Sequence, residues 1–142
     1  RIARNWNADL SASYVRGENR TDRTALAQQP PLEGRLSIAR STATWSVGAL
    51  LRSAACQHRV APNQGNIVGQ DIGPSHGFTS LAINAGWSFR PGARLTAGVD
   101  NLFDAAYAEH ISRSGSSIPG YTQIARLMEP GRTVWLKFDF RR

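Results

Sequence analysis

Leu81-Ala82-Ile83-Asn84-Ala85-Gly86-Trp87-Ser88-Phe89, then Arg90-Pro91-Gly92-Ala93, then Arg94-Leu95-Thr96-Ala97-Gly98-Val99-Asp100 is the stretch that decides the fold. Side chains of a strand point alternately to its two faces. Here Leu81, Ile83, Ala85, Trp87 and Phe89 share one face, and Ala82, Asn84, Gly86 and Ser88 share the other. Beyond Pro91-Gly92, a strong turn dipeptide, Leu95, Ala97 and Val99 oppose Thr96, Gly98 and Asp100. Period two on both sides of a tight turn predicts a hairpin.

Working outward, the same alternation recurs four times. Trp6, Ala8, Leu10, Ala12 and Tyr14 oppose Asn7, Asp9, Ser11 and Ser13. Leu32, Gly34, Leu36 and Ile38 oppose Glu33, Arg35 and Ser37. Trp45, Val47, Ala49 and Leu51 oppose Ser46, Gly48, Leu50 and Arg52, with Leu50 as the one break in the pattern. Val134, Leu136, Phe138 and Phe140 oppose Trp135, Lys137, Asp139 and Arg141. Segments of about ten residues with one apolar and one polar face suit tilted strands that cross a bilayer.

The connections separate a barrel from a sandwich. Ser41–Thr44 and Arg90–Ala93 are short, whereas Gly17–Pro31, Val60–Gly77 and Asp104–Gly131 are long. Short and long alternate, so in an up-and-down sheet every short turn falls at one end and every long loop at the other. That asymmetry belongs to outer-membrane barrels. Trp6, Tyr14, Trp45, Trp87 and Phe89 sit at strand ends, where the interfacial girdle lies. The fold class is therefore all-β: an antiparallel up-and-down transmembrane β-barrel segment of about six strands, occupying residues 1–142 as one unit.

Six strands fall short of the smallest common membrane barrel, which has about eight. Open edges in hydrocarbon would leave backbone groups unpaired at several kcal/mol each. The first and last strands are thus expected to meet strands outside these residues. Arg1 to Asn5 shows neither an initiator Met nor a leader pattern, in keeping with a piece of a longer chain.

Hydrophobic residues make up 41% of the sequence, but no apolar run reaches the roughly 18 positions of a spanning helix. Net charge is +7, and all 17 Lys and Arg except Lys137 are arginine. They are scattered without a cluster or interleaved aromatic platform, which argues against nucleic acid as a partner and suits contact with lipopolysaccharide phosphates. The single cysteine, Cys56, leaves no internal disulfide.

Ala97-Gly98-Val99-Asp100-Asn101-Leu102-Phe103-Asp104, followed by Tyr107, resembles a signature near the end of TonB-dependent receptors. Glu129-Pro130-Gly131-Arg132-Thr133 resembles the lead into their final strand. Pro30–Arg35, Gln64–Asp71 and Tyr107–Arg113 are similar to the C-terminal region of the copper receptors in that family. The resemblance covers essentially the whole chain. It implies a barrel of about 22 strands, of which these are the last six, with a plug domain and the earlier strands upstream. It also implies an outer-membrane location, contact with the TonB complex through the missing N-terminal region, and uptake of copper. Ferric siderophore or cobalamin uptake is the alternative in the same class, and a soluble all-β binding module the alternative in another. The family ends on an aromatic residue, and here Phe140 is followed by Arg141 and Arg142. The family's own copper ligands and TonB-contacting motif lie upstream and transfer to no residue here.

Thiolate, imidazole and thioether groups select copper, so the candidate metal ligands are Cys56, His58, His76, His110 and Met128. Cys56 and His58, two apart, would share one face of a strand near its outer end. The competing reading makes Cys56 a small filler and His58 a polar residue at a loop base, and nothing fixes the distance from His110 to Met128. Asp100 and Asp104 lack a His or Ser at triad spacing, and Gly115, Gly120 and Gly131 lack the context of a phosphate loop. No catalytic residue and no cofactor are expected. Asn101 to Asp104 is read as a bulge that re-aims Phe103.

Overall fold

The computed structural model describes residues 5–66, 69–112, 119–120 and 126–141. Among the described residues ten strands follow in order: β1 (Trp6–Ser13), β2 (Glu18–Asn19), β3 (Thr24–Ala25), β4 (Glu33–Ser41), β5 (Trp45–Ala54), β6 (Gly65–Asn66), β7 (Gly69–Gln70), β8 (Phe78–Arg90), β9 (Ala93–Asp100) and β10 (Thr133–Phe140). Six form one antiparallel sheet in the order β1-β4-β5-β8-β9-β10, so each long strand pairs with its neighbour in sequence. The short pairs β2-β3 and β6-β7 are ribbons within the long loops. The described residues contain no helix.

Turn chemistry sets the ends. Between β4 and β5 the Thr42 hydroxyl oxygen accepts from Trp45 N–H at 3.0 Å, and Thr42 N–H donates to Trp45 O at 2.8 Å. Between β8 and β9, Pro91 fixes its own φ near −65° and Gly92 takes φ +75°, the sign only glycine adopts freely. An unprimed turn splays a two-residue hairpin, and the ladder shifts register between Ser88 and Arg90.

Register aligns the apolar residues in rows across the sheet. One row runs Ala8, Ile38, Ala49, Ile83, Val99, Val134, and the next runs Trp6, Arg40, Val47, Ala85, Ala97, Leu136. Toward the short turns, Trp45 pairs with Trp87, Trp87 with Leu95, and Leu95 with Phe138. Aromatic contacts link Trp87, Phe89 and Phe138 there. No described residue covers this face. Leu10, Val134 and Leu136 are 79%, 75% and 70% exposed, and the only buried apolar residues described are Ala54, Ala61 and Ala93. Water would penalise so much open apolar surface, whereas lipid does not. The second sheet that a soluble sandwich requires is absent among the described residues.

The opposite face carries Asp9, Ser37, Arg52, Asn84, Thr96 and Lys137. Trp135 also lies here, paired with Gly98, where any Cβ would run into the indole ring. Leu50, the break in alternation, shares a recess with Tyr107 and Pro130 of the last long loop. This hydrophobic residue on the polar face stays 43% exposed beside them.

The bulge expected at Asn101–Asp104 is instead a turn that ends β9. Asn101 and Asp104 take φ +48° and +56°, and Asp104 N–H donates to Asn101 O at 2.8 Å. The Asn101 amide donates to Ala105 O and accepts from Ala105 N–H, each at 2.9 Å. The short polar side chain closes the turn locally, so no extra residue enters the ladder.

Candidate functional site

All three long connections leave the same end of the sheet, and buried polar side chains tie them together. In the first, Gln29 accepts from Gly17 N–H at 2.6 Å and donates to Gly17 O at 3.0 Å and Leu26 O at 2.8 Å, closing the loop that carries β2 and β3. The Asp71 carboxylate of the second loop accepts from Gln28 N–H of the first at 3.0 Å and from Ala61 N–H at 2.8 Å. The third loop joins through His110, whose Nδ1 lies 2.9 Å from Ser75 Oγ and whose Nε2 lies 3.8 Å from Asp71 Oδ1. Arg126 then donates to His110 O at 2.8 Å and to Gly73 O and Pro74 O.

Below this cluster the third loop is fastened to the wall. Arg52 of β5 donates to Glu33 of β4 at 2.8 and 2.7 Å and pairs with Glu109 of the loop. Tyr107 stacks on Phe78 with ring centroids 4.0 Å apart, and the Arg52 guanidinium lies 5.1 Å over the same Phe78 ring. A bidentate, planar cation between two carboxylates fixes direction as well as distance.

Ser75, His110 and Asp71 bring the residue types of a hydrolytic triad together. The geometry does not suit that chemistry. Their relative exposures are 7%, 6% and 5%, and 3.8 Å is too long for a hydrogen bond between His110 and Asp71. A nucleophile shut away from substrate can attack nothing. What the arrangement does is hold three loops in one body.

Burial is the main force holding His110 below its ordinary pKa of 6.5; Asp71 pulls upward and Arg126 downward again. A loop that opens frees the imidazole to take a proton at its ordinary value, while the closed cluster resists protonation. The contribution to closure is therefore complete above 6.5 and is lost as pH falls from there through the lowered folded value. Amide exchange in residues 71–75, corrected for its intrinsic pH dependence, should be faster at about pH 5.5 than at about pH 7.5. His110→Gln should flatten that difference, and an unchanged pH profile in the variant would exclude His110 as its source.

The candidate metal ligands scatter. β5 ends at Ala54, so Cys56 and His58 lie in the loop, where they flank an isolated bridge between Gln57 and Ser75, and not on a strand face as expected. The residues Cys56, His58, His76 and Met128 are exposed, while the His110 ring turns inward. No group of three or more His, Cys, Asp and Glu side chains among the described residues converges as a metal site. Asp71, Ser75 and Arg126 were missed because they meet partners far along the chain; Gln29 binds Gly17 and Leu26 close by but carries no local pattern that marks it.

No family model and no curated relative matches this chain. Solved structures do. The copper transporter OprC aligns over 99% of this chain and 21% of its own, at 41% identity and TM-score 0.89. The ferric enterobactin receptor PfeA of Pseudomonas aeruginosa, as its G324V mutant, aligns over 98% and 20% at 17% identity and TM-score 0.69. The ferric-catecholate import receptor Fiu of E. coli K12 aligns over 98% and 19% at 18% identity and TM-score 0.65. The likeness to PfeA and Fiu bears on fold alone. The chain spans about a fifth of the length of each of these structures.

Proposed function

This chain belongs to the TonB-dependent receptors, and from that premise we propose that it is the closing part of a barrel that imports copper, free or chelated, across the outer membrane. The observation that carries the reading is the 41% identity to a copper transporter over 99% of the chain, against 17% and 18% to the two ferric receptors. The uncovered apolar face and the alternation of short turns with long loops support the location.

In this reading β1 and β10 meet the remaining strands of the barrel, with the plug and the TonB contact upstream. The apolar rows face lipid, the Asp9–Arg52–Asn84 face lines the lumen, and the tied loops form part of the outer mouth beside lipopolysaccharide. The exposed Cys56, His58, His76 and Met128 offer soft donors to passing copper. His110 serves instead to hold the loops.

Copper accumulation by cells carrying the whole gene tests this. Accumulation should rise several-fold over a deletion strain and return to the deletion level when TonB is absent. Copper uptake unchanged by the deletion, with growth on a ferric chelate or on cobalamin lost instead, would reject copper as the cargo.

A further inference from the structure

Arg40 is the only ionisable side chain in the two central apolar rows, in register between Trp6 of β1 and Val47 of β5. Its guanidinium carbon lies 5.5 Å from the Trp6 ring centroid and 5.0 Å from that of Trp45, so two indoles clamp the cation at the level of the short turns. Cation–π contact steadies the charge but does not neutralise it. No carboxylate among the described residues lies within ion-pair distance of Arg40, and its Nε is buried without a hydrogen-bond partner. A bare cation at a lipid-facing position is costly and calls for an anion.

Beside it the wall is hollow. Ala49, Ala85 and Ala97 stand where neighbouring rows carry larger side chains, and with Ile38 and Ile83 they bound a recess of about 520 Å³ that Arg40 also lines. That volume is within the roughly 300–1,000 Å³ of ligand-sized pockets. Its walls are almost wholly apolar, and its one charged lining residue is this cation.

We infer that this recess is a seat for one glycerophospholipid of the leaflet next to the short turns, its phosphate on Arg40 and an acyl chain over the three alanines. The inference rests on the reading that this face meets lipid. A phosphodiester supplies the acceptor that the guanidinium lacks, and the attached tail supplies the methylenes that fill the hollow. A second copy of the chain fits less well. A two-fold contact would bring the same surface to itself, and the two rows offer no carboxylate to meet Arg40.

The test is native mass spectrometry of the full-length receptor, washed in mild detergent and then titrated with phosphatidylglycerol. Wild type should hold one phospholipid after washing. Arg40→Gln and Ala85→Phe should each weaken that binding about tenfold, while Leu10→Phe, on the same face outside the recess, should not. A heat-shift gel confirms that each variant folds. Equal phospholipid on all four proteins, none on wild type, or a dimer in place of the lipid would overturn the seat. Should the receptor stay monodisperse in water without detergent, the lipid-facing reading itself fails, which separates the two failures.

Discussion

Arginine in place of Ile83 is expected to destabilise the barrel by about 2–4 kcal/mol, the cost of a cation near the bilayer midplane. Ile83 lies within the longest strand, flanked in register by Ala49 and Val99, and is 39% exposed on a face with no protein over it. Arginine at Asn84, one residue along, should cost no more than about 0.5 kcal/mol. Asn84 belongs to the polar face beside Gly48 and Gly98 and is exposed there. Urea unfolding of the whole barrel in lipid vesicles compares the two. Equal penalties at both positions would mean that the faces do not differ in what touches them.

Arg52→Ala is the second large effect. Arg52 is 21% exposed between Glu33 at 16% and Glu109 at 26%. Its loss strands the mostly covered Glu109 carboxylate, leaves Glu33 paired with Arg35 alone, and removes the cation over Phe78. Breaking a fully buried pair costs about 3–5 kcal/mol, and partial exposure lowers the expectation to about 2–3 kcal/mol. The penalty should be local. Residues 104–112 lose their anchor to β5, so their amides should exchange about 30- to 150-fold faster while those of β8 hold. Arg52→Lys keeps the charge but not the fork, and should recover only part of the protection. Unchanged exchange over residues 104–112 would show that the loop is held by other contacts.

The wall was legible in the sequence because a strand's periodicity is local. All six long strands follow from alternation, and the two short turns follow from the shortness of Ser41–Thr44 and from Pro91-Gly92 chemistry. Alternation understates their lengths where the outward residue is not apolar. β4 runs on past Ile38 because Trp6 and Trp45 carry Arg40 into an apolar row, and β8 begins at Phe78, before the first aliphatic residue of its pattern. The loop body was not legible. Gln28 meets Asp71 across 43 residues, Ser75 meets His110 across 35, and Arg52 meets Glu109 across 57. Such pairs leave no period to detect, and the two-residue ribbons of β2-β3 and β6-β7 are too short to show one. Asn101 was misread because an Asn that closes a turn and one that begins a bulge look alike until the ladder is seen.

A membrane wall requires lipid on one face of the sheet and water on the other. Nitroxide labels placed one at a time along residues 79–88 of β8, in the full receptor reconstituted in bilayers, report collisions with oxygen and with a water-soluble nickel chelate. Oxygen contact should peak at positions 81, 83, 85 and 87, and nickel contact at 80, 82 and 84. Labels at 81, 83 and 85 shielded from both reagents would place protein against that face and contradict the account.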